Sequence, residues 1–271
     1  MTTRQAWSLT DLYGYAYHRA EQAGPRPGAV RMIYQDAGGD GFAEDVANYF
    51  APPERWWHTD VLACELARGR VLDVGCGAGR HAVQVAKAGH EVVGLEPSWD
   101  AVGVARRRGV DARCGRLPAL PPDLGRFDTF LLAGGGLHLL RIADEHGSTL
   151  DRFTEAAEPG ARVVGTMMST EAGESARPYR MRVQHEGTLT GWSEWSGTNV
   201  GLPAAELPAV LEGTGWTVDQ VRHHEETARV HPLTPRQFEA MDRGLPWDPP
   251  ADAACSLTAP SYLAVLRLTT G

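Results

Sequence analysis

The stretch Val71-Leu72-Asp73-Val74-Gly75-Cys76-Gly77-Ala78-Gly79-Arg80 decides the fold. A short apolar run delivers the chain into a turn with three glycines in five residues, and a helical segment, HAVQVAKAG (81–89), follows at once. Glycine enters unusual backbone regions cheaply and leaves the backbone bare, so a ligand can lie against Gly75 and Gly77. The next helix presents its first, unpaired amides at the same place. Asp73 precedes the turn and is placed to accept hydrogen bonds from an amine or to orient the loop. A second acid, Glu96, ends the next apolar run, HEVVGLEPS (90–98). It stands about 20 residues beyond the glycines, where such turns place a carboxylate on ribose hydroxyls.

Outward from this turn the text is regular. WDAVGVARRRG (99–109) reads as a helix, VDARC (110–114) as a strand, RFDTFLLAGGG (126–136) as a strand running into glycines, STLDRFTEAAEPG (148–160) as a helix and ARVVGTMMS (161–169) as a strand. Strands alternating with helices at this spacing predict a parallel sheet covered on both faces. VVGL and TFLLA are apolar throughout, as doubly buried strands are. Beyond residue 169 the pattern changes. YRMRVQHEG (179–187) and TLTGWSEWSG (188–197) predict an antiparallel hairpin, 203–215 a helix, WTVDQVRH (216–223) a strand, LTPRQFEAMDRG (233–244) an inserted helix and PSYLAVLRL (260–268) a closing strand. Upstream, 11–22 and 43–50 read as helices, 35–42 as a loop and 54–68 as a helix. The economical organisation is a helical cap over residues 1–60 and a core over 61–271, with insertions at about 178–197 and 224–258.

The 271 residues carry 42% hydrophobic and 22% charged side chains, which excludes a largely disordered chain, and a formal net charge of −8, which argues against a nucleic-acid partner. No apolar run is long enough to span a bilayer, and the N-terminus lacks the apolar core of a signal peptide. Cys64, Cys76, Cys114 and Cys255 form no CxxC pair. Free thiols in a cytoplasmic protein are the expected state. Lys87 is the only lysine among 26 basic residues. With abundant Ala, Gly and Pro, that skew reads as the coding bias of a GC-rich bacterium rather than as phosphate recognition.

VLDVGCGAGR, EVVGLEPS and RFDTFLLAGGG, in this order and spacing, resemble the class I S-adenosylmethionine-dependent methyltransferases over roughly residues 60–168, with the GW…V and YLAVLRL strands at the end. The resemblance implies an α/β, Rossmann-like, seven-stranded, mostly parallel sheet with helices on both faces and its last strand antiparallel. It implies S-adenosyl-L-methionine as cofactor, with Asp73, Gly75, Cys76, Gly77 and Gly79 along the methionine part and Glu96 on the ribose diol. Pro97 and Ser98 would lie beside the adenosine, Arg116 and Leu117 at the adenine, and Ala133 and Gly134 at the methionine group. The chain departs from its relatives at Cys114-Gly115-Arg116, where many carry an acid. It also has Gly134-Gly135-Gly136, and no Asn-Pro-Pro-Tyr, after the fourth strand. A small-molecule substrate follows, with O-methylation ahead of N- or C-methylation and specialised metabolism as the setting. A sulfonium-promoted reaction without methyl transfer, a nicotinamide-dependent oxidoreductase and a non-catalytic binding module remain rivals. The missing third glycine of GxGxxG counts against the oxidoreductase.

His138, just after the fourth strand, is the candidate general base, against the plainer reading of a helix-capping histidine. Tyr13, Tyr17 and His18 form a candidate substrate lid, or an aromatic face packed on the domain. Trp192 and Trp195 are candidate pocket walls, and strand alternation would send them to opposite faces. His223-His224-Glu225-Glu226 has metal-like letters but no matching third ligand, and reads as a solvated strand end. Arg106-Arg107-Arg108 reads as the polar end of a helix, and Phe238 and Met241 as residues packed down on the body. No metal is expected.

Overall fold

A computed structural model of the chain describes residues 7–145, 147–168, 177–196, 201–245, 247 and 255–269. In chain order the elements are α1 (Leu9–Gln22), β1 (Val30–Asp36), β2 (Gly41–Asp45), α2 (His58–Leu66), β3 (Arg70–Val74), α3 (Arg80–Lys87), β4 (Glu91–Glu96), α4 (Trp99–Arg107), β5 (Asp111–Cys114) and β6 (Phe127–Leu132). A 3-10 turn (Gly136–Arg141) is followed by β7 (Ala143–Asp144), β8 (Gly147–Ser148), α5 (Thr149–Glu155), β9 (Ala157–Met168), β10 (Tyr179–His185), β11 (Thr188–Leu189), α6 (Leu207–Leu211), β12 (Trp216–Leu233), α7 (Pro235–Asp242) and β13 (Cys255–Leu268). None of the helices described is long and apolar enough to cross a membrane.

Local chemistry sets the helix starts. Ser8 and Ser98 accept the amides of Asp11 and Ala101, and Ser148 with Asp151 and Thr234 with Gln237 form capping boxes. Pro235 occupies the first turn of α7, where its missing N–H is not needed.

Eleven strands form one sheet in the order β11-β10-β1-β2-β12-β13-β9-β6-β3-β4-β5, and β7 pairs with β8 alone. The run β12-β13-β9-β6-β3-β4-β5 holds the expected core. Within it β9, β6, β3, β4 and β5 are parallel, and β13 is antiparallel to both of its neighbours. The expected seven strands are therefore only part of a larger mixed sheet. The reason is β12, which does not stop at His223. Its first part pairs with β13, and His231, Pro232 and Leu233 pair with Ala43, Phe42 and Gly41 of β2.

The N-terminal segment is not the all-helical cap that the sequence suggests. Among the described residues before α2, only α1 is an α-helix; residues 30–45 fold as the hairpin β1–β2, and the helix expected over 43–50 is reduced to a 3-10 turn, Val46–Phe50. Period-two alternation explains it. Val30, Met32 and Tyr34 face α1, while Ile33 packs with Ala43, Leu233, Phe238 and Met241 on the other side. Phe238 and Met241 thus pack down as read.

The hairpin β10–β11 is present, with Glu186 (φ 50°) and Gly187 (φ 71°) making its two-residue turn. Its second strand is short. Past it, the amides of Thr190, Ser193 and Ser196 bond to the carbonyls of Val183, Met181 and Tyr179. Three residues advance on this edge for every two on β10, so strict alternation is lost.

Helix α1 bridges the two halves of the sheet. Leu12, Ala16, Tyr17 and Ala20 pack with Met32, Met181 and Val183 on one side and with Ala101 and Val104 of α4 on the other. The helices touch at Gly14, where a Cβ would fall 1.9 Å from Ser98 Oγ.

One buried carboxylate joins the strand ends. Asp60, in the first turn of α2, is 1% exposed. Its Oδ1 accepts the Gly134 amide and the Thr166 hydroxyl, each at 2.8 Å, and its Oδ2 accepts Arg80 Nη2 at 3.0 Å. His81 Nε2 lies 3.5 Å from the same Oδ2. Burial alone would raise the Asp60 pKa. His81, Arg80 and the Gly134 amide outweigh it and hold the carboxyl well below the usual range. Its stabilising contribution is thus complete above the unfolded value near ~3.9 and is lost as pH falls toward the folded one. Asp60→Ala strands a half-buried guanidinium, an amide and a buried hydroxyl, and is expected to cost roughly 3 kcal/mol or more. At ~2–4 °C per kcal/mol, the melting temperature should fall by on the order of 10 °C. A calorimetric scan checks this, and the loss should shrink in scans taken below pH ~4.

Candidate functional site

The glycine turn lies where β3 leaves the sheet. Gly75 (φ 72°), Gly77 (φ 53°) and Gly79 (φ 81°) all take the left-handed conformation. The Gly75 and Cys76 amides bond to the Leu95 carbonyl, and the Gly77 amide bonds to Glu96 Oε2 at 3.1 Å. The three glycines have different duties. A Cβ on Gly79 would fall 2.9 Å from Val110, so Gly79 permits close packing under the turn. A Cβ on Gly75 would meet nothing nearer than Leu139 at 3.9 Å, which leaves open space in front of it. A Cβ on Gly77 would come within 3.2 Å of the Tyr17 ring. The Cys76 side chain points the other way, into a cluster with Ala82, Val102, Ala105 and Val110, so only its backbone faces the turn's open side.

Asp73 is 1% exposed, and its Oδ2 is buried with no hydrogen-bond partner among the described residues. Burial pushes its pKa up to about 6, against His81, the Ala82 amide and Arg80, which pull it down. An orphaned buried carboxylate oxygen is an unfavourable arrangement unless a donor from outside the chain meets it. Glu96, at the end of β4, holds the Gly77 amide on Oε2 and the Ser98 amide on Oε1 at 3.0 Å. Burial raises its pKa, with those two amides opposing. Each oxygen keeps a second lone pair for a hydroxyl donor.

The other expected residues divide. Pro97 is half-buried, and its carbonyl meets Cys114 Sγ at 3.6 Å. The Ser98 hydroxyl is committed to capping α4 beneath α1. Arg116 is exposed and reaches Thr10 of α1 at 3.3 Å, while the Leu117 side chain belongs to the main core. Ala133 is half-buried at the end of β6. Gly134 (φ 66°) and Gly135 (φ 85°) are left-handed and both pinned, by Asp60 Oδ1 and by Thr166 Oγ1 at 3.2 Å. The glycine run after β6 is therefore a fixed ledge.

His138 sits in the 3-10 turn that follows. Its Nδ1 lies 2.9 Å from the Gly135 carbonyl, which can only accept, so Nδ1 carries the proton and Nε2 is an acceptor with no partner among the described residues. Burial lowers its pKa, which favours the neutral ring. Leu137 packs against Gly165 and Leu139 lies nearest Gly75, so His138 takes the third direction of the turn.

The structure brings Tyr17 to the glycine turn, with Tyr13 beside it on α1 at a ring-centroid distance of 6.2 Å, and keeps Trp192 and Trp195 away from the turn. His18 is half-buried, one position beyond Tyr17 on α1. Trp192 packs on Phe238 at a centroid distance of 6.0 Å and donates to Asp242 at 3.2 Å, on the sheet face opposite α1. Arg180 lies over both tryptophans, at 4.4 and 5.1 Å, so they share a side. Alternation fails there because the 190–196 edge is bulged.

Several residues near the site carry no local sequence signal. Asp60 looks like any acid in a first helical turn. Tyr34, Glu44 and Tyr49 lie in one short stretch and Tyr179 far from it, and the β1–β2–β10 pairing assembles them beside α1. Glu226 does not end a solvated strand. It is buried and accepts the His58 and Thr59 amides at 2.8 Å each, capping α2. Arg108 is not merely the polar end of α4, since it holds the Ala78 carbonyl of the glycine turn at 2.7 Å.

Residues 71–160 match the methyltransferase domain family. Over 95 residues the chain is 34% identical to a dTDP-3-amino-3,4,6-trideoxy-alpha-D-glucopyranose N,N-dimethyltransferase of Streptomyces venezuelae, covering 35% of this chain and 40% of that one. Over 170 residues it is 28% identical to a ubiquinone biosynthesis O-methyltransferase of Rhodopseudomonas palustris, covering 59% and 62%. The chain thus aligns with less than two thirds of the length of these relatives. Its fold resembles an S-adenosylmethionine-dependent methyltransferase of Bacteroides fragilis solved with S-adenosyl-L-homocysteine (TM-score 0.59, 18% identity, 98% of each chain). It also resembles the CcbJ methyltransferase of Streptomyces caelestis (TM-score 0.53, 18% identity, 94% and 98%). Strand order, glycine turn and family match thus agree over the same residues: the stretch 71–160 is similar to a methyltransferase domain, and the fold resembles that of S-adenosylmethionine-dependent methyltransferases.

Proposed function

We propose that the chain transfers a methyl group from S-adenosyl-L-methionine to a small molecule, with a hydroxyl as the first choice of acceptor and nitrogen or carbon behind it. The observation that carries this reading is the unpartnered Asp73 Oδ2, buried under a glycine turn whose open side faces Glu96 and Tyr17. The residues fit the cofactor. Asp73 would take its amino group, Glu96 its ribose hydroxyls, and the bare backbone of Gly75 and Gly77 would lie along it. Arg116 at the lip and the Gly134 ledge would flank the two ends. Bound there, the cofactor supplies a methyl group activated by a sulfonium.

The protein's own work is alignment and exclusion of water. Helix α1 roofs the turn through Tyr17, and the ledge holds the opposite wall by way of Asp60. His138, with Nε2 unprotonated, would accept the proton of a hydroxyl acceptor. A bacterial specialised pathway stays a proposal resting on composition and on the added β1–β2 and β10–β11 hairpins, and a cytoplasmic location on the free cysteines. The charge of −8 supports a partner other than nucleic acid.

Calorimetry with S-adenosyl-L-homocysteine and S-adenosyl-L-methionine, beside NADH, tests the reading. Micromolar binding of the adenosyl ligands alone supports it, and binding of NADH alone overturns it. Asp73→Ala and Glu96→Ala should each weaken S-adenosyl-L-homocysteine by about tenfold or more, since a charged acceptor is worth ~1.5–3 kcal/mol.

The Asp73 carboxyl faces His81 and Arg80 of α3 and Asp60 of α2, and it ionises only above about 6 in the free protein. A cationic amino group pairs with the ionised form. Affinity should therefore be level above pH ~7 and fall by up to about tenfold per unit below pH 6. In Asp73→Asn this limb should disappear, and a limb that persists unchanged assigns it to another group. His138→Ala should lower turnover far more than it lowers cofactor affinity, and full turnover in that variant removes the base.

A further inference from the structure

Next to the glycine turn, under α1, five tyrosines surround one carboxylate. Glu44 Oε1 accepts the hydroxyls of Tyr34 at 2.9 Å and Tyr49 at 2.8 Å. The Tyr13 hydroxyl lies 3.4 Å from that of Tyr34 and 3.4 Å from that of Tyr179. The rings form a continuous lining, with centroids 5.1 Å apart for Tyr17 and Tyr49, 6.2 Å for Tyr13 and Tyr17, and 5.8 Å for Tyr34 and Tyr179. Tyr17 carries the lining to Gly77. Tyr13, Glu44, Tyr49 and Tyr179 lie deep in the protein yet each keeps accessible surface, as groups around a recess do.

Glu44 lacks a cation. Among the described residues it has no ion pair, and the base whose charge acts on it, Arg80, is committed to Asp60. Oε1 takes both tyrosine protons. Oε2 takes no hydrogen bond from any described residue and is not among the sealed, unpartnered atoms, so it retains surface. A carboxylate held away from bulk water by π faces attracts a cation twice, through its own charge and through the ring quadrupoles. A neutral polar ligand gains far less from either.

We propose that this tyrosine-and-Glu44 recess is a substrate subsite for a cationic nitrogen, so that the small molecule methylated by this chain carries an ammonium group. The inference rests on the methyltransferase reading, because the recess gains its meaning from lying beside the cofactor's turn, with Tyr17 between them. It requires only that the ammonium anchor the substrate, and it is compatible with a hydroxyl elsewhere on the same molecule as the acceptor.

Tetramethylammonium and tert-butanol, similar in size and differing in charge, are the probes. Calorimetry with S-adenosyl-L-homocysteine comes first, and its failure alone counts against the methyltransferase reading. On the chain saturated with that ligand, tetramethylammonium should bind at least about tenfold tighter than tert-butanol. Glu44→Gln should remove most of that preference while leaving S-adenosyl-L-homocysteine affinity unchanged. Equal binding of the two probes to the unaltered, cofactor-loaded chain overturns the subsite whatever the variant does. A Glu44→Gln protein that loses affinity for S-adenosyl-L-methionine but not for S-adenosyl-L-homocysteine also overturns it, by assigning the recess to the cofactor's own sulfonium.

Discussion

The Asp60 carboxylate is the constraint on which the site depends. Three segments that share no local sequence logic converge on its two oxygens and are thereby tied to α2: the start of α3 through Arg80, the ledge after β6 through Gly134, and the end of β9 through Thr166. A buried anion with this many donors is tolerated only while all of them are in place. That mutual dependence fixes the distance between the glycine turn, which ends at Arg80, and the ledge at Gly134. It also removes Arg80 from service as a partner for Glu44, leaving a second, unpaired negative charge close by.

Around this clamp, the site is built from charges the fold leaves unfinished. Asp73 has one oxygen without a partner, Glu44 has one that keeps surface, and Glu96 has lone pairs beyond its two amides. Burial raises the pKa of all three carboxyls. Cationic and hydroxyl-rich ligands would relieve that unfavourable burial, as proposed for an amino-acid-bearing nucleoside on one side of Tyr17 and an ammonium on the other. Helix α1 is the shared wall. Gly14 lets it descend onto Ser98, and Tyr17 then separates the glycine turn from the tyrosine recess.

The core was legible because its signals are local. The run 71–80, the spacing to Glu96 and the apolar strands 91–96 and 127–132 each report on adjacent residues. The eleven-stranded sheet was not, because β1 pairs with β10 across about 150 residues and nothing in either strand names its partner. The hairpin at 30–45 is hidden behind a loop signal over 35–42 and a helical one over 43–50, because its turn, Ala37-Gly38-Gly39-Asp40, swamps the short alternating run before it. For the site, Asp73, Glu96 and the glycines were accessible from spacing. The acids Asp60 and Glu44 were not, since each acquires its role only from segments brought in by tertiary structure. Trp192 and Trp195 share a side rather than taking the opposite faces that alternation implies, because the bulged 190–196 edge cancels alternation.

A crystal structure of the chain with S-adenosyl-L-homocysteine bound tests the central claim most directly. The ligand's amino nitrogen is expected within hydrogen-bond distance of Asp73 Oδ2, both ribose hydroxyls on Glu96, and the sulfur between the glycine turn and the Gly134 ledge. A ligand bound elsewhere, or one bound here with Asp73 Oδ2 still without a donor, contradicts it.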